Sequence, residues 1–240
     1  MRVLRVARTG AVRARAKALT QLKALVVTAP DVLRAQLGGL DGANLVTTCA
    51  RLRSSRDDAA TPSPYAKRAP RPGRLVDPHA ATKRSLASIA GRVQALGEEI
   101  AELDDDLDAL LAPLAPTLLA LQGVGLDVAG QLLVTAGDNP ERIHSESAFA
   151  HLCGVAPIPA SSGKTSNRHR LNRGGDRDAN AALYRIVMCR LRWDPRTRIY
   201  VERRTKQGHS KKEIIRCLKR YVAREAFAAI QADLNPTITP

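Results

Sequence analysis

The clearest pattern along the chain is a heptad repeat of apolar residues between positions 86 and 110. Apolar side chains alternate at intervals of three and four residues, and acidic residues crowd the second half of the repeat. This 3.5-residue period predicts a long helix over 82–112 that forms a coiled coil. The a and d positions are Leu86, Ile89, Val93, Leu96, Ile100, Leu103, Leu107 and Leu110.

Three partners remain open for the 82–112 helix. A parallel homodimer would bring its acidic halves together, so we expect an antiparallel partner instead. Packing against a basic helix at the start of the chain is the second arrangement, and a helix lying on the core of its own domain is the third. Small and apolar residues recur at helical spacing from Leu4 to Leu25 and predict that basic, amphipathic first helix, which ends before Pro30.

Capping residues predict further helices along the chain. A short helix is expected over 31–37, stopped by Gly38 and Gly39. Strand signals are faint, so the predicted fold class is mainly α, with a long heptad helix and a helical C-terminal domain. The N-caps expected beyond Pro116 are Ser145, Asp176 or Asp178, Asp194 and Ser210, the last in a capping box with Glu213.

Composition divides the chain into five segments. Proline is frequent and apolar residues are scarce over 54–81, which predicts a linker. Helical segments are expected on both sides of this linker, over 1–53 and 82–112. A helical domain follows over 117–232, and 233–240 form a tail.

The charge distribution narrows the possible partners. The chain has 240 residues and a formal net charge of +15. Nineteen Lys and Arg against five Asp and Glu fall within 164–224, a concentration that favours a polyanion as partner. Aromatic residues make up 3%, too few for rows of stacking rings. No apolar run approaches a membrane span, and four scattered cysteines without a CxxC pair suit a reducing cytoplasm.

Two motifs bear on chemistry. Gly123 and Gly125, between two helical patterns, are typical of a helix-hairpin-helix turn whose backbone N–H groups approach a phosphate; a plain helical hairpin is the alternative. Ser161 and Ser162 precede Gly163 among basic residues, which suits a phosphate-binding nest, a nucleophilic serine or an ordinary turn. The histidines and cysteines lack metal-ligand spacing, so no metal site is expected in this chain.

Three stretches together resemble the C-terminal domain of a known transposase family. They are LLALQGVGLDVAGQLLVTAGDNPERIHSESAFAHLCGVAPIPASSGKT, RHRLNRGGDRDANAALYRIVMCRLRWDPRTRIYVERR and SKKEIIRCLKRYVARE. The segment from Leu118 to Ile230 resembles the transposase domain of the insertion sequence 110 family, the DEDD-type enzymes related to the Piv/MooV invertases. Residues 1–53 are similar to the helical segment that follows the acidic, RuvC-like domain of this family.

The resemblance implies DNA transposition, with DNA and a guide RNA (the bridge RNA) as partners. In this family four acids of the RuvC-like domain hold Mg²⁺, and a serine of the C-terminal domain attacks a DNA phosphate. Matched by position, Ser162 is the candidate nucleophile, with Ser161 its less favoured neighbour, and Gly123 and Gly125 form the turn. The basic residues that the resemblance places beside nucleic acid are Lys164, Arg168, Arg170, Arg173 and Arg177.

The chain also departs from the family pattern. The acidic tetrad has no counterpart here, because the acids of 104–108 lie together on the heptad helix. We therefore expect an N-terminally truncated transposase without its own Mg²⁺ site, which binds nucleic acid and cleaves poorly alone. It would assemble with itself or with a full-length transposase through 82–112. A non-catalytic nucleic-acid-binding remnant or regulator is the alternative, and a coiled-coil adaptor is a third.

Overall fold

The computed structural model describes residues 1–53, 78–137, 143–159, 169–171 and 174–235, with backbone only at 170 and 171. The helices are α1 (Arg2–Val27), α2 (Asp31–Leu37), α3 (Gly42–Ala50), α4 (Pro78–Leu114), α5 (Pro116–Leu119), α6 (Leu126–Ala136), α7 (Glu146–Leu152), α8 (Arg177–Trp193), α9 (Pro195–Lys206) and α10 (Lys211–Leu234). The strands are β1 (Pro157–Pro159) and β2 (His169–Leu171). The fold is thus mainly α, as predicted.

The chain forms two compact units. One consists of Val6–Leu103, and the other combines Met1–Arg5 with Asp104–Pro240. The second unit, here called the C-terminal unit, contains α5 to α10 and the antiparallel pair of β1 and β2. None of the helices in the described ranges is long and apolar enough to cross a membrane.

The predicted N-caps beyond Pro116 are confirmed. The Ser145 side chain accepts a hydrogen bond from the Ala148 amide, and Asp194 accepts from the first turn of α9. Asp176 rather than Asp178 caps α8. At the start of α10, Ser210 and Glu213 form the reciprocal capping box. These bonds satisfy amides that the first helical turn would otherwise leave without partners.

The predicted boundary between linker and long helix is wrong by four residues. Helix α4 begins at Pro78 instead of residue 82, so the last proline of the predicted linker is the first helical residue. Proline suits this position because its fixed φ is helical and its missing N–H would have no partner there. The helix also passes through Pro113, which was expected to end it, and stops one residue later at Leu114.

Three of the eight heptad positions of α4, Leu86, Val93 and Leu107, are buried within the chain itself. In the Val6–Leu103 unit, Leu86 and Val93 pack with Leu22 of α1 in one apolar cluster. The first helix is therefore a partner of α4, one of the three arrangements left open. A coiled coil with a second chain stays a prediction, and forming it through this seam would have to displace these contacts.

The last heptad position does not follow the predicted seam. Leu110, a d position, is 46% exposed, whereas its neighbour Leu111 is fully buried. A straight helix repeats every 3.6 residues, so its buried face drifts away from a 3.5-residue pattern over four heptads.

The core of the C-terminal unit surrounds α10. This helix packs against α5, α7, α8 and α9. Phe149 of α7 is fully buried, and its ring centroid lies 5.9 Å from that of Phe227 of α10. The other fully buried large side chains are Leu107, Leu111, Leu118, Leu132, Leu183, Ile186 and Ile230. This core holds together α8, α9 and α10, which carry fifteen of the nineteen Lys and Arg residues of 164–224.

Candidate nucleic-acid interface

The turn between α5 and α6 is built around Gly123. Its φ is +85°, a conformation that favours glycine. A Cβ atom there would lie 3.2 Å from Cys189 Cβ and 3.3 Å from the Ile186 carbonyl oxygen, so the turn packs directly on α8. Gly125 is the N-cap of α6, has an extended backbone and faces open space.

An acidic side chain occupies the first turn of α6. Asp127 accepts hydrogen bonds from Arg5 at 3.0 Å and from Arg185 at 2.5 Å. Burial favours a higher pKa for Asp127, but the hydrogen bonds and charges of Arg185 and Arg5 outweigh it and lower the pKa. An ionised carboxylate therefore lies where the helix-hairpin-helix prediction expects a phosphate. The phosphate-binding role of Gly123 and Gly125 stays a prediction.

A buried polar chain connects α1 to the start of α8. The Arg5 guanidinium donates to Gln131 Oε1 at 2.6 Å, and Gln131 Nε2 donates to the Thr135 hydroxyl at 3.0 Å. That hydroxyl donates to Asp176 Oδ2 at 2.6 Å. Burial favours a higher pKa for Asp176, but the bonds from Thr135 and from the amides of α8 lower it. Asp176 is therefore held as a carboxylate at the N-terminus of α8.

Two glycines fix the base of the β-hairpin formed by β1 and β2. A Cβ atom on Gly154 would lie 2.8 Å from the Gly174 carbonyl oxygen, and one on Gly175 would lie 2.7 Å from the Gly154 nitrogen. Both glycines have positive φ. The Asp176 amide donates to the Leu152 carbonyl at 2.7 Å, closing the same junction. The two ends of the β-hairpin are thus tied together where α7 ends and α8 begins.

Asn180 joins this junction to α10. Its Nδ2 donates to the carbonyl oxygens of Cys153 and Gly154 at 3.0 and 2.9 Å. Its Oδ1 accepts a 2.8 Å hydrogen bond from Lys219 Nζ. Lys219 is 8% exposed, and burial followed by the nearby Arg216 charge lowers its pKa.

Next to the β-hairpin lies a groove of about 460 Å³ with strongly basic walls, here called the basic groove. Pro157 of β1 and His169 of β2 border it, and Glu213 is its acidic lining residue. Its other ionisable nitrogen-bearing side chains are Arg204, His209, Arg216, Arg220 and Arg224. Three of these arginines follow one another at four-residue intervals along α10, which places them on one helix face.

Most of the predicted site residues fall outside the part of the chain that the structure describes. These are Ser161, Ser162, Lys164, Arg168 and Arg173. The backbone of Arg170 lies in β2 opposite Ile158. Arg177 is the first residue of α8, exposed, and does not line the basic groove.

No sequence motif singled out the basic-groove arginines. The net charge of 164–224 included them, but it did not separate them from arginines elsewhere. The spacing of Lys212, Arg216, Arg220 and Arg224 was the available signal, because residues four apart share a helix face. No comparable signal links Arg204 of α9 to this row.

Comparison with known proteins finds similar sequences among insertion-element proteins. Residues 115–202 match the family model described as Transposase IS116/IS110/IS902 family. The chain is 30% identical over 148 residues to the insertion element IS110 uncharacterized 43.6 kDa protein of Streptomyces coelicolor, a match covering 61% of this chain and 36% of that protein. It is 28% identical over 193 residues to the insertion element IS900 uncharacterized 42 kDa protein of Mycobacterium paratuberculosis, covering 80% and 47%.

The matched region therefore spans less than half the length of each of these relatives. The family model falls on the helical turn, the β-hairpin and helices α8 and α9, the elements from which the motifs indicated a transposase domain. The resemblance found in the sequence is confirmed. Residues 115–202 of the chain are therefore similar to the transposase domain of the IS116/IS110/IS902 family.

Proposed function

We propose that the chain acts in DNA transposition, with the basic groove holding the sugar-phosphate backbone of a DNA strand. The observation that carries this proposal is the position of the groove. Pro157 and His169, the groove's two strand residues, bracket segment 160–168 in the sequence, and this segment contains Ser162. A DNA strand bound along α10 therefore lies close to β1 and β2, which flank in sequence the segment that contains the proposed nucleophile.

The charges of the groove favour a polyanion. Glu146 pairs with Arg220, and its carboxylate lies 3.6 Å from Arg224 Nε. Glu213 accepts hydrogen bonds from the Ser210 amide and hydroxyl in the capping box. Both carboxylates thus already have partners, and four arginines outnumber them. Such an excess of positive charge binds phosphates with release of counterions.

The pKa of Arg220 reflects this crowding. Burial lowers it first, and the neighbouring positive charge of Arg224 lowers it further. An incoming phosphate relieves the repulsion between such neighbours. The same argument applies to RNA, so the guide RNA that the family resemblance implies is a second proposed ligand of this basic surface.

In the proposed reaction, Ser162 is the nucleophile. Its hydroxyl oxygen forms a bond to phosphorus while the bond from phosphorus to one deoxyribose oxygen breaks. The hydroxyl proton ends on the released sugar oxygen. The protein and the DNA are then joined through a phosphoserine, which a second strand can attack to complete transfer.

Binding of Mg²⁺ for this reaction would need carboxylates other than those in the described part of the chain. Mg²⁺ prefers several carboxylate oxygens and water, and supplies charge neutralisation to phosphoryl transfer. Within the described ranges, no group of three or more Asp, Glu, His or Cys side chains is arranged to hold a metal ion. The acids of 104–108 follow one another along α4 and do not form such a group.

A salt titration with charge-matched variants tests the binding proposal. Arg216→Gln removes one groove charge from an exposed side chain, and Arg92→Gln removes the same charge from exposed α4 in the other unit. We expect Arg216→Gln to weaken binding of a labelled duplex about three- to tenfold and to reduce the log–log salt slope by about 1. Arg92→Gln should leave both unchanged. Equal effects of the two variants, or a wild-type slope near zero, would contradict the proposal.

A further inference from the structure

A second groove, of about 590 Å³, shares Tyr221 with the basic groove and is here called the tyrosine groove. Tyr200 of α9 and Tyr221 of α10 meet in it edge to face, with ring centroids 5.7 Å apart and planes at 82°. Tyr221 is 47% exposed. Although the chain has only four tyrosines, the packing of α9 on α10 brings two of them together beside the basic groove.

The two carboxylates that line the tyrosine groove are both hydrogen-bonded, and arginines line it as well. Arg190 donates to Glu225 at 2.6 Å, and Asp194 accepts hydrogen bonds from the Thr197 amide and hydroxyl. Both carboxylates therefore have fixed partners. The Arg203 guanidinium carbon lies 5.4 Å from the centroid of the Tyr200 ring, which adds a cation beside the aromatic pair.

Tyr200 is the more buried member of the pair. It is half-buried and hydrogen-bonded to Cys217, and burial together with Cys217 raises its pKa to about 12. Its hydroxyl is therefore neutral at physiological pH. Beside this ring, Tyr221 presents its own exposed aromatic surface to both grooves.

We propose that the tyrosine groove binds an unpaired nucleobase of the DNA strand whose backbone lies in the basic groove, with the base stacked on Tyr221. The proposal rests on the proposed function, since the basic groove supplies the phosphate contacts. The groove volume falls in the range of about 300–1,000 Å³ typical of small-molecule sites. Stacking on an aromatic ring suits any base, because every base has a π-face. A duplex must expose bases in this way when it opens for strand exchange.

The test compares two DNA probes that differ by one base. Both are duplexes with a single-nucleotide bulge, which carries adenine in one probe and an abasic sugar in the other. The backbone charge is the same, so the ratio of their dissociation constants isolates the base. We expect the wild-type protein to bind the adenine bulge about five- to a hundredfold more tightly.

Three tyrosine variants test whether Tyr221 causes the difference in affinity between the two probes. Tyr221→Ala should bring the ratio close to 1, and Tyr221→Phe should retain it, because the ring remains. Tyr184→Ala is the matched control: Tyr184 is exposed to a similar degree, 43%, and lies outside both grooves. It should retain the wild-type ratio.

The outcomes separate this inference from the proposed function. A wild-type ratio near 1 with salt-dependent binding of both probes overturns the tyrosine-groove proposal and leaves the basic groove intact. A ratio that Tyr221→Ala does not change overturns it as well. If the wild-type protein binds neither probe in a salt-dependent way, the proposed function is overturned, and this proposal with it.

Discussion

Gly175 lies so close to Gly154 that a Cβ atom on Gly175 would be 2.7 Å from the Gly154 backbone nitrogen. The same Cβ atom would lie 2.7 Å from the Leu152 carbonyl oxygen. The contact ties the end of α7 to the residues that precede α8, and the β-hairpin leaves from this junction. Backbone atoms rather than flexible side chains fill the space, so no rotamer change can relieve a larger residue.

We expect Gly175→Ala to destabilise the protein by about 2 kcal/mol or more. The substitution adds a Cβ clash to the strain of a residue held at φ +95°. Gly91→Ala is the control, since Gly91 lies in α4 with open space around it and should gain about 0.5–1 kcal/mol. Urea unfolding measures both. A Gly175→Ala protein within 0.5 kcal/mol of wild type would refute the close-packed junction.

Asn180→Ala should cost about 2–4 kcal/mol of unfolding free energy. The change removes two hydrogen bonds to the Cys153 and Gly154 carbonyls and leaves the Lys219 ammonium buried without its acceptor. Adding Lys219→Met should recover part of the loss, because the buried charge is then gone. If the double variant loses as much unfolding free energy as the two single variants together, the Asn180–Lys219 contact does not cause the loss in Asn180→Ala.

Asp176→Asn should change the acid limb of the stability profile. The folded pKa of Asp176 lies below its ordinary value of 3.8, so its stabilising effect is present above pH 3.8 and disappears as the pH falls through the lowered folded value. The variant should be less stable than wild type near neutrality, with the difference narrowing below pH 3.8. Asp31→Asn, at an 89% exposed side chain, should show almost no difference. A pH-independent gap for Asp176→Asn would contradict the ionised form.

Arg190 and Glu225 should be energetically coupled. Arg190 Nε donates to the Gln122 carbonyl at 2.8 Å while its Nη1 donates to Glu225, so one guanidinium joins the helical turn to α10. In a double-mutant cycle of Arg190→Met and Glu225→Gln, we expect a coupling of about 1 kcal/mol, because Glu225 is half exposed. Arg190→Met alone should cost more, since it also leaves the Gln122 carbonyl without its donor. Additive effects would show that the pair contributes no net stability.

Ser162→Ala should abolish the covalent link between protein and DNA. The assay mixes labelled element DNA, guide RNA, Mg²⁺ and an intact family member that supplies the acids, and detects adducts of this chain by size on a denaturing gel. Ser161→Ala is the matched control and should retain the adduct. Loss of the adduct in Ser161→Ala alone would reassign the nucleophile. Salt-dependent DNA binding without any adduct would favour the non-catalytic regulator.

Much of the fold was predictable because its signals are local. Ser145, Asp194 and Ser210 mark helix starts from the sequence alone, since an N-cap side chain bonds to amides two or three residues away. The start of α4 at Pro78 was misread, because proline occurs both in linkers and in first helical turns. The β-hairpin was not predicted, as strands of three residues carry almost no pattern.

The candidate site was predictable only in part. The surplus charge of 164–224 pointed to a polyanion, but it did not show that Arg204 and Arg216 share one groove. Tyr200 and Tyr221 are twenty-one residues apart, and nothing in their local sequence predicts a ring contact. Such pairs depend on how α9 packs against α10.

The sequence by itself determined the helical fold class, most of the helix starts and the resemblance to a transposase family, because capping, periodicity and motif spacing are properties of neighbouring residues. Only the tertiary structure decided which residues act together. It buried Leu111 in place of Leu110 and closed the β-hairpin on Gly154 and Gly175. These outcomes depend on helix twist and on contacts between distant segments, which no local window of sequence contains.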